Sequence, residues 1–156
     1  MRKWLSILFV VLLASVANAQ DDNAAAYATC AACHLPDGVG VPGAFPPVRD
    51  RAAKIAALDG GREYLIAVVS YGLMGTIQVE GVQYFGVMAG NMGAMDEADI
   101  AAALNHIVFG LGDGEGQEPF TAEEVLAVQA DLALKSPAGG GQIRGKLVAE
   151  HGDQWP

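Results

Sequence analysis

Basic residues are scarce in this chain, with 9 Lys and Arg against 18 Asp and Glu; losing Arg2 and Lys3 with the leader described below leaves 7 against 18, a net charge of −11. Such a surface is a poor match for nucleic acid, whose binding rests on Lys and Arg neutralising phosphates. It suits solubility, or docking on a basic patch of another protein. Cysteine is scarcer still. Cys30 and Cys33 are the only two, so a zinc site built on them lacks its other half: no further cysteine exists, and His106 and His151 lie far off without paired spacing. Beyond residue 19 there is no apolar run of about 18 residues, the length a membrane-spanning helix needs. Gly38-Val39-Gly40 is not followed by the Gly-Lys-Ser/Thr that completes a phosphate loop. No βαβ pattern surrounds the cysteines, as a thioredoxin-like redox pair would require, and no internal repeat is present.

What is present is Cys30-Ala31-Ala32-Cys33-His34. Two cysteines three apart, with His directly after the second, is the spacing of c-type haem attachment. On one helical turn the two thiols can each form a thioether with a vinyl group of a single porphyrin, and His34 projects from the same turn as the proximal iron ligand. A structural disulfide is the competing reading. The leader agrees with the haem reading: Arg2 and Lys3, an apolar stretch from Trp4 to Leu13 and small residues ending Ala17-Asn18-Ala19 form a secretory signal over residues 1–19. Cleavage before Gln20 leaves no cysteine for lipid anchoring. The expectation is an exported, periplasmic protein without a membrane span, the compartment side on which c-type haem is attached in bacteria.

The remaining pattern is helical. A first helix capped by Asp22 or Asn23 runs through 24–32 into the motif, and Leu35–Pro47, rich in Gly and Pro, forms a loop. A carbonyl near Pro46 is placed to accept the second ring N–H of His34. Arg49, Arg51 and Lys54 are candidate partners for haem propionates, with no one of them preferred. A helix is expected from Arg62 to Tyr71, stopped by Gly72, and a short hairpin over Ile77–Tyr84 around Glu80-Gly81. Asp96 and Asp99 start a further helix through Leu111. Thr121–Glu124 form a capping box, with Phe120 stapled against Val125, for a helix to about Leu134. Residues 20–134 thus form one domain, and 135–156 a flexible tail with a break at Ser136–Gly141 and about one helical turn in Gln142–Pro156.

Taken in order, Cys30-Ala31-Ala32-Cys33-His34, Gly43-Ala44-Phe45-Pro46-Pro47, Gly61-Arg62-Glu63-Tyr64-Leu65, Gly81–Met88 and Ile100–Ile107 resemble a class I (monohaem) bacterial cytochrome c over roughly residues 24–133. Only the haem motif is highly specific; the later segments count because they follow the family's order. The resemblance implies an all-α cytochrome c fold wrapped around one covalent haem c, with the first and last core helices crossing. It implies electron transfer rather than enzymatic catalysis, and an axial Met on the distal side. Met88 matches the family's ligand position, with Met92 as the fallback. Met74, Met95 and His106 are weaker candidates. Two departures stand out: Ala89 follows Met88 where the family usually has Pro, and Leu35 follows His34 where Gly is common.

A His/Met pair raises the potential of haem iron and leaves no open site, so electrons pass through an exposed haem edge. The resulting reading is a one-electron carrier between a periplasmic donor dehydrogenase and an acceptor oxidase or reductase. The alternatives are a haem subunit fixed in a periplasmic dehydrogenase complex, such as a sulfite or alcohol dehydrogenase, with the tail and Trp155 as its docking segment, and an open-site haem protein binding a small ligand.

Overall fold

The computed structural model describes residues 22–133 and 135–156; the leader expected over 1–19 lies outside them. A helical lead-in over residues 22–26 breaks at Tyr27 and resumes as α1, Ala28–His34. Next come α2 (Arg51–Ala56), α3 (Gly61–Tyr71), strands β1 (Gly72–Val79) and β2 (Val82–Ala89), then α4 (Glu97–Asn105), α5 (Ala122–Asp131) and α6 (Pro137–His151). The expected all-α architecture with one hairpin is therefore present.

Local sequence explains most boundaries. Gly72, at φ 91°, ends α3 in a conformation that a side chain resists. Asp96 and Asp99 form the reciprocal capping box at the start of α4. At α5 only half of the expected box forms: the Thr121 hydroxyl accepts the Glu124 N–H, while the Glu124 carboxylate turns to Arg62 on α3, at 2.7 Å from its Nε. That guanidinium also donates to the Glu118 carbonyl and lies 3.8 Å from the Phe120 ring centre. A part-buried charged pair of this kind ties α3 to α5 better than a cap fixes one helix end. The α4 helix continues through a π-turn over His106–Gly110, and α5 stops at Asp131, short of the expected Leu134. The main core gathers Tyr27, Ile66, Val69, Ile100, Leu104, Val108, Phe120 and Val125, with Phe120 and Val125 packed in it together as the staple expects.

The hairpin is longer than the expected Ile77–Tyr84 segment. Glu80 (φ 51°) and Gly81 (φ 80°) both adopt the left-handed conformation of a two-residue turn. From there the ladder runs from Val79↔Val82 out to Gly72↔Ala89. Its outer half is not legible in the sequence because Gly72, Gly75 and Gly86 contribute no side chains to an alternating pattern.

The reading of 135–156 as a flexible tail with a break at 136–141 is corrected here: the segment holds the 15-residue helix α6, capped by Ser136 and with Pro137 in its first turn. Three consecutive glycines count against a helix by propensity, but they allow its backbone to lie directly on β1. A Cβ at Gly140 would sit 2.3 Å from the Gly72 carbonyl oxygen, and one at Gly141 2.7 Å from that of Met74. Close packing, made possible by glycine, outweighs propensity. Gly140→Val is expected to destabilise the protein by about 2–4 kcal/mol, because backbone cannot yield to the new methyls. Gly145→Ala, on the exposed side with nothing within 4 Å of its Cβ, should stabilise by roughly 0.5–1 kcal/mol. Denaturant unfolding of the two variants checks both signs.

Candidate functional site

The single turn that ends α1 carries Cys30, Cys33 and His34, with Cys30 and His34 buried and Cys33 exposed. Both thiols are free, so the disulfide reading finds no support in the structure. Burial, and to a lesser degree the neighbouring Cys33, push the Cys30 thiol toward its neutral form. Burial likewise holds His34 below the usual histidine range. Its Nδ1–H donates to the Pro46 carbonyl at 2.8 Å, the partner anticipated from the loop. A carbonyl only accepts, which sets the tautomer: Nε2 keeps its lone pair, as a metal ligand needs.

The turn is anchored from behind. Tyr27 is buried beneath it and donates to the Leu35 carbonyl at 2.9 Å. Burial first, then Cys30 and Asp37, push its phenol up to about 12, so it remains a donor at any physiological pH. Its ring lies 5.0 Å from that of His106, which brings the end of α4 against α1. Leu35 takes φ 65°, ψ 158°, a region nearly reserved for glycine that costs a side chain about 1–3 kcal/mol.

Facing this turn across a cavity of about 450 Å³ is the hairpin. Cys30, Cys33 and His34 line one wall, Phe45 and Pro46 an edge, and Leu73, Ile77, Tyr84 and Met88 the opposite side. Of the described methionines only Met88 lines the cavity. Met92 is half exposed and outside it, Met74 is exposed, and Met95 is buried in the main core. His106 is not among the lining residues either. Met88 lies inside β2 opposite Leu73, rather than in a loop beyond the hairpin. Ala89 is the last residue of that ladder, opposite Gly72. A Pro is disfavoured inside a strand, which gives the departure at Ala89 a structural reason.

These residues fit a haem. The volume is that of a cofactor site, the walls are mainly apolar, and Phe45, Phe85 and Val87 stand at its edge, Phe85 with 78% of its surface exposed. Apolar side chains held in this way around a cavity suit a large flat apolar ring.

The fold and the site define a c-type cytochrome, and the chain belongs to the cytochrome c family, whose model matches residues 21–108. It is similar to a cytochrome c-552 of Thermus thermophilus, with 49% identity over 128 residues that cover 80% of this chain and 86% of that protein. A second cytochrome c-552 from Thermus thermophilus is 52% identical over 114 residues, covering 71% of this chain and 86% of its own. The family carries one covalent haem c, for which Cys30 and Cys33 have the attachment spacing, and it works by haem-based electron transfer.

Proposed function

We propose that this protein is an exported, periplasmic one-electron carrier whose single haem is joined to Cys30 and Cys33 and held between His34 and Met88. The observation that carries this reading is that Met88 alone among the described methionines lines the cavity opposite His34. The bound haem supplies an iron that alternates between ferrous and ferric states. The chain's own residues do the rest. His34 is oriented by Pro46 and kept neutral by burial. Met88 offers a thioether, which favours ferrous iron more than a second imidazole would. Leu73, Ile77 and Tyr84 exclude water, and a drier site further disfavours the extra positive charge of ferric iron.

A haem held by His34 and Met88 would have no open iron site, and electron exchange would then run through its exposed edge. The partners of this reading are a donor dehydrogenase and an acceptor oxidase or reductase, met in small, transient interfaces. An acidic carrier is steered toward basic docking patches. The alternative of a subunit fixed in a dehydrogenase complex takes the tail and Trp155 as its docking segment; Trp155 packs edge-on against Tyr64 at 5.5 Å within the molecule. An open-site haem protein would need Met88 to stay unligated. The test is to purify the protein from a bacterium that matures c-type cytochromes. Covalent haem on one chain, reversible reduction and the weak long-wavelength ferric band of Met–iron ligation are expected. Strong ferric binding of cyanide with no such band would overturn His/Met ligation.

A further inference from the structure

The haem reading leaves one end of the cofactor unplaced. A haem is an apolar disc with two propionate carboxylates on one edge, yet no Lys or Arg among the described residues lines the cavity. Beside it, two arginines are packed together, with Tyr64, Glu80 and Tyr84 near enough to act on the Arg51 charge. Arg51, at the start of α2, and Arg144, on α6, approach the same indole, their guanidinium carbons 6.0 Å and 5.7 Å from the Trp155 ring centre. Neither pairs with an Asp or Glu side chain among the described residues. Arg51 Nε donates at 3.2 Å to a carboxylate oxygen of the last residue, Pro156, and Arg144 donates to the Gln78 carbonyl at 2.9 Å and to the Tyr64 hydroxyl. Three buried donors remain without a partner among the described residues: Arg51 Nη2, Arg144 Nε and Trp155 Nε1.

Two guanidinium charges share one carboxylate here, and three idle buried donors carry a desolvation cost that a second anion would offset. The cluster adjoins the cavity. Trp155 packs in one apolar group with Tyr64, Leu73 and Met88, and the last two are cavity walls. Gln78, which accepts from Arg144, follows the cavity-lining Ile77. The other basic residues near this loop, Arg49 and Lys54, are exposed.

We propose that Arg51, Arg144 and Trp155 together receive a haem propionate, so that α6 and the segment after it, beyond the family's matched region, complete the haem site. A planar guanidinium suits a carboxylate in paired hydrogen bonds, and an indole N–H adds a neutral donor. The inference rests on the haem reading above.

The experiment is the midpoint potential of the holoprotein, titrated from about pH 5 to pH 9, a range above the ordinary carboxylate pKa. In the parent protein the propionate is held ionised by two cations, and the potential should be flat. In Arg144→Gln a positive charge is lost near the iron and the propionate is less neutralised. Both changes favour ferric iron, so the potential falls, by an amount equal to a three- to tenfold shift in equilibrium, at most about 59 mV. The propionate, less well paired, then titrates within the range, and the potential declines as pH rises through its raised pKa.

Trp155→Phe keeps the packing and should move the potential the same way by less. Arg144→Lys, which keeps the charge, should restore most of it, separating charge from structural support. Sulfate added at constant ionic strength should leave the parent protein unchanged, since the site is filled; a sulfate-dependent potential would mean a free-anion site and overturn the assignment. Unchanged, pH-flat potentials in both Arg144→Gln and Arg51→Gln would overturn it too, as would an equal shift in exposed Arg49→Gln. A chain that lacks covalent haem sinks the underlying reading instead, so the two failures are distinct.

Discussion

Replacing both Cys30 and Cys33 by Ser is expected to yield a colourless chain at the apoprotein mass, and one that does not fold. The first outcome follows from chemistry, since a hydroxyl cannot take the place of a thiol in the thioether bonds. The second follows from the size of the cavity. A void of about 450 Å³, charged at ~24 cal/mol per Å³, costs about 10 kcal/mol as an upper bound, because its mouth is open to water. That is as large as the whole stability of an ordinary domain, about 5–15 kcal/mol. The hairpin should therefore collapse onto α1 or detach. Mass spectrometry and near-UV circular dichroism of the exported variant check the two parts; a natively folded, haem-free chain would contradict the second. Each single variant keeps one thioether and should retain haem at reduced yield.

Met88→Leu should keep the haem and lose the ligand. Leucine is close in volume to methionine, and Met88 is only half-buried, so the fold cost stays below about 1.5 kcal/mol. The long-wavelength ferric band should vanish, and cyanide should then bind ferric iron readily. The potential should fall by on the order of 0.1–0.3 V, within the ≈0.8 V range that axial ligands command. Met92→Leu, outside the cavity and half exposed, should change none of these. A band retained in Met88→Leu would exclude that residue as the ligand.

Most of the site can be read from the sequence because its chemistry is local. The Cys30–His34 turn needs nothing beyond its own helix, and the Pro46 carbonyl follows from a short loop that must return to the imidazole. Asp96 and Asp99 cap α4 through bonds three residues apart. Where long-range contact decides, sequence reasoning fails. Glu124 leaves its expected capping partner for Arg62, 62 positions away. The glycines at 139–141 look like a break until β1 is seen lying against them. Arg51 is indistinguishable from Arg49 and Lys54 in sequence; only α6, which brings Arg144 and Trp155 to it, singles it out. The short helix α2 falls inside no expected element, having six residues and little periodicity to show.

Under the proposed ligation by Met88, the seating of α6 on β1 would also govern how readily the iron lets go of its distal atom. A lone two-stranded ribbon is marginal in water, and here Met88 rides on one. The ribbon borrows its rigidity from a helix pressed against its outer backbone, so the two should loosen together as one cooperative unit, at less cost than opening the core. Exchange of a Met88 ligand would then keep time with the undocking of α6, while the thioethers to Cys30 and Cys33 across the cavity hold the porphyrin in place throughout.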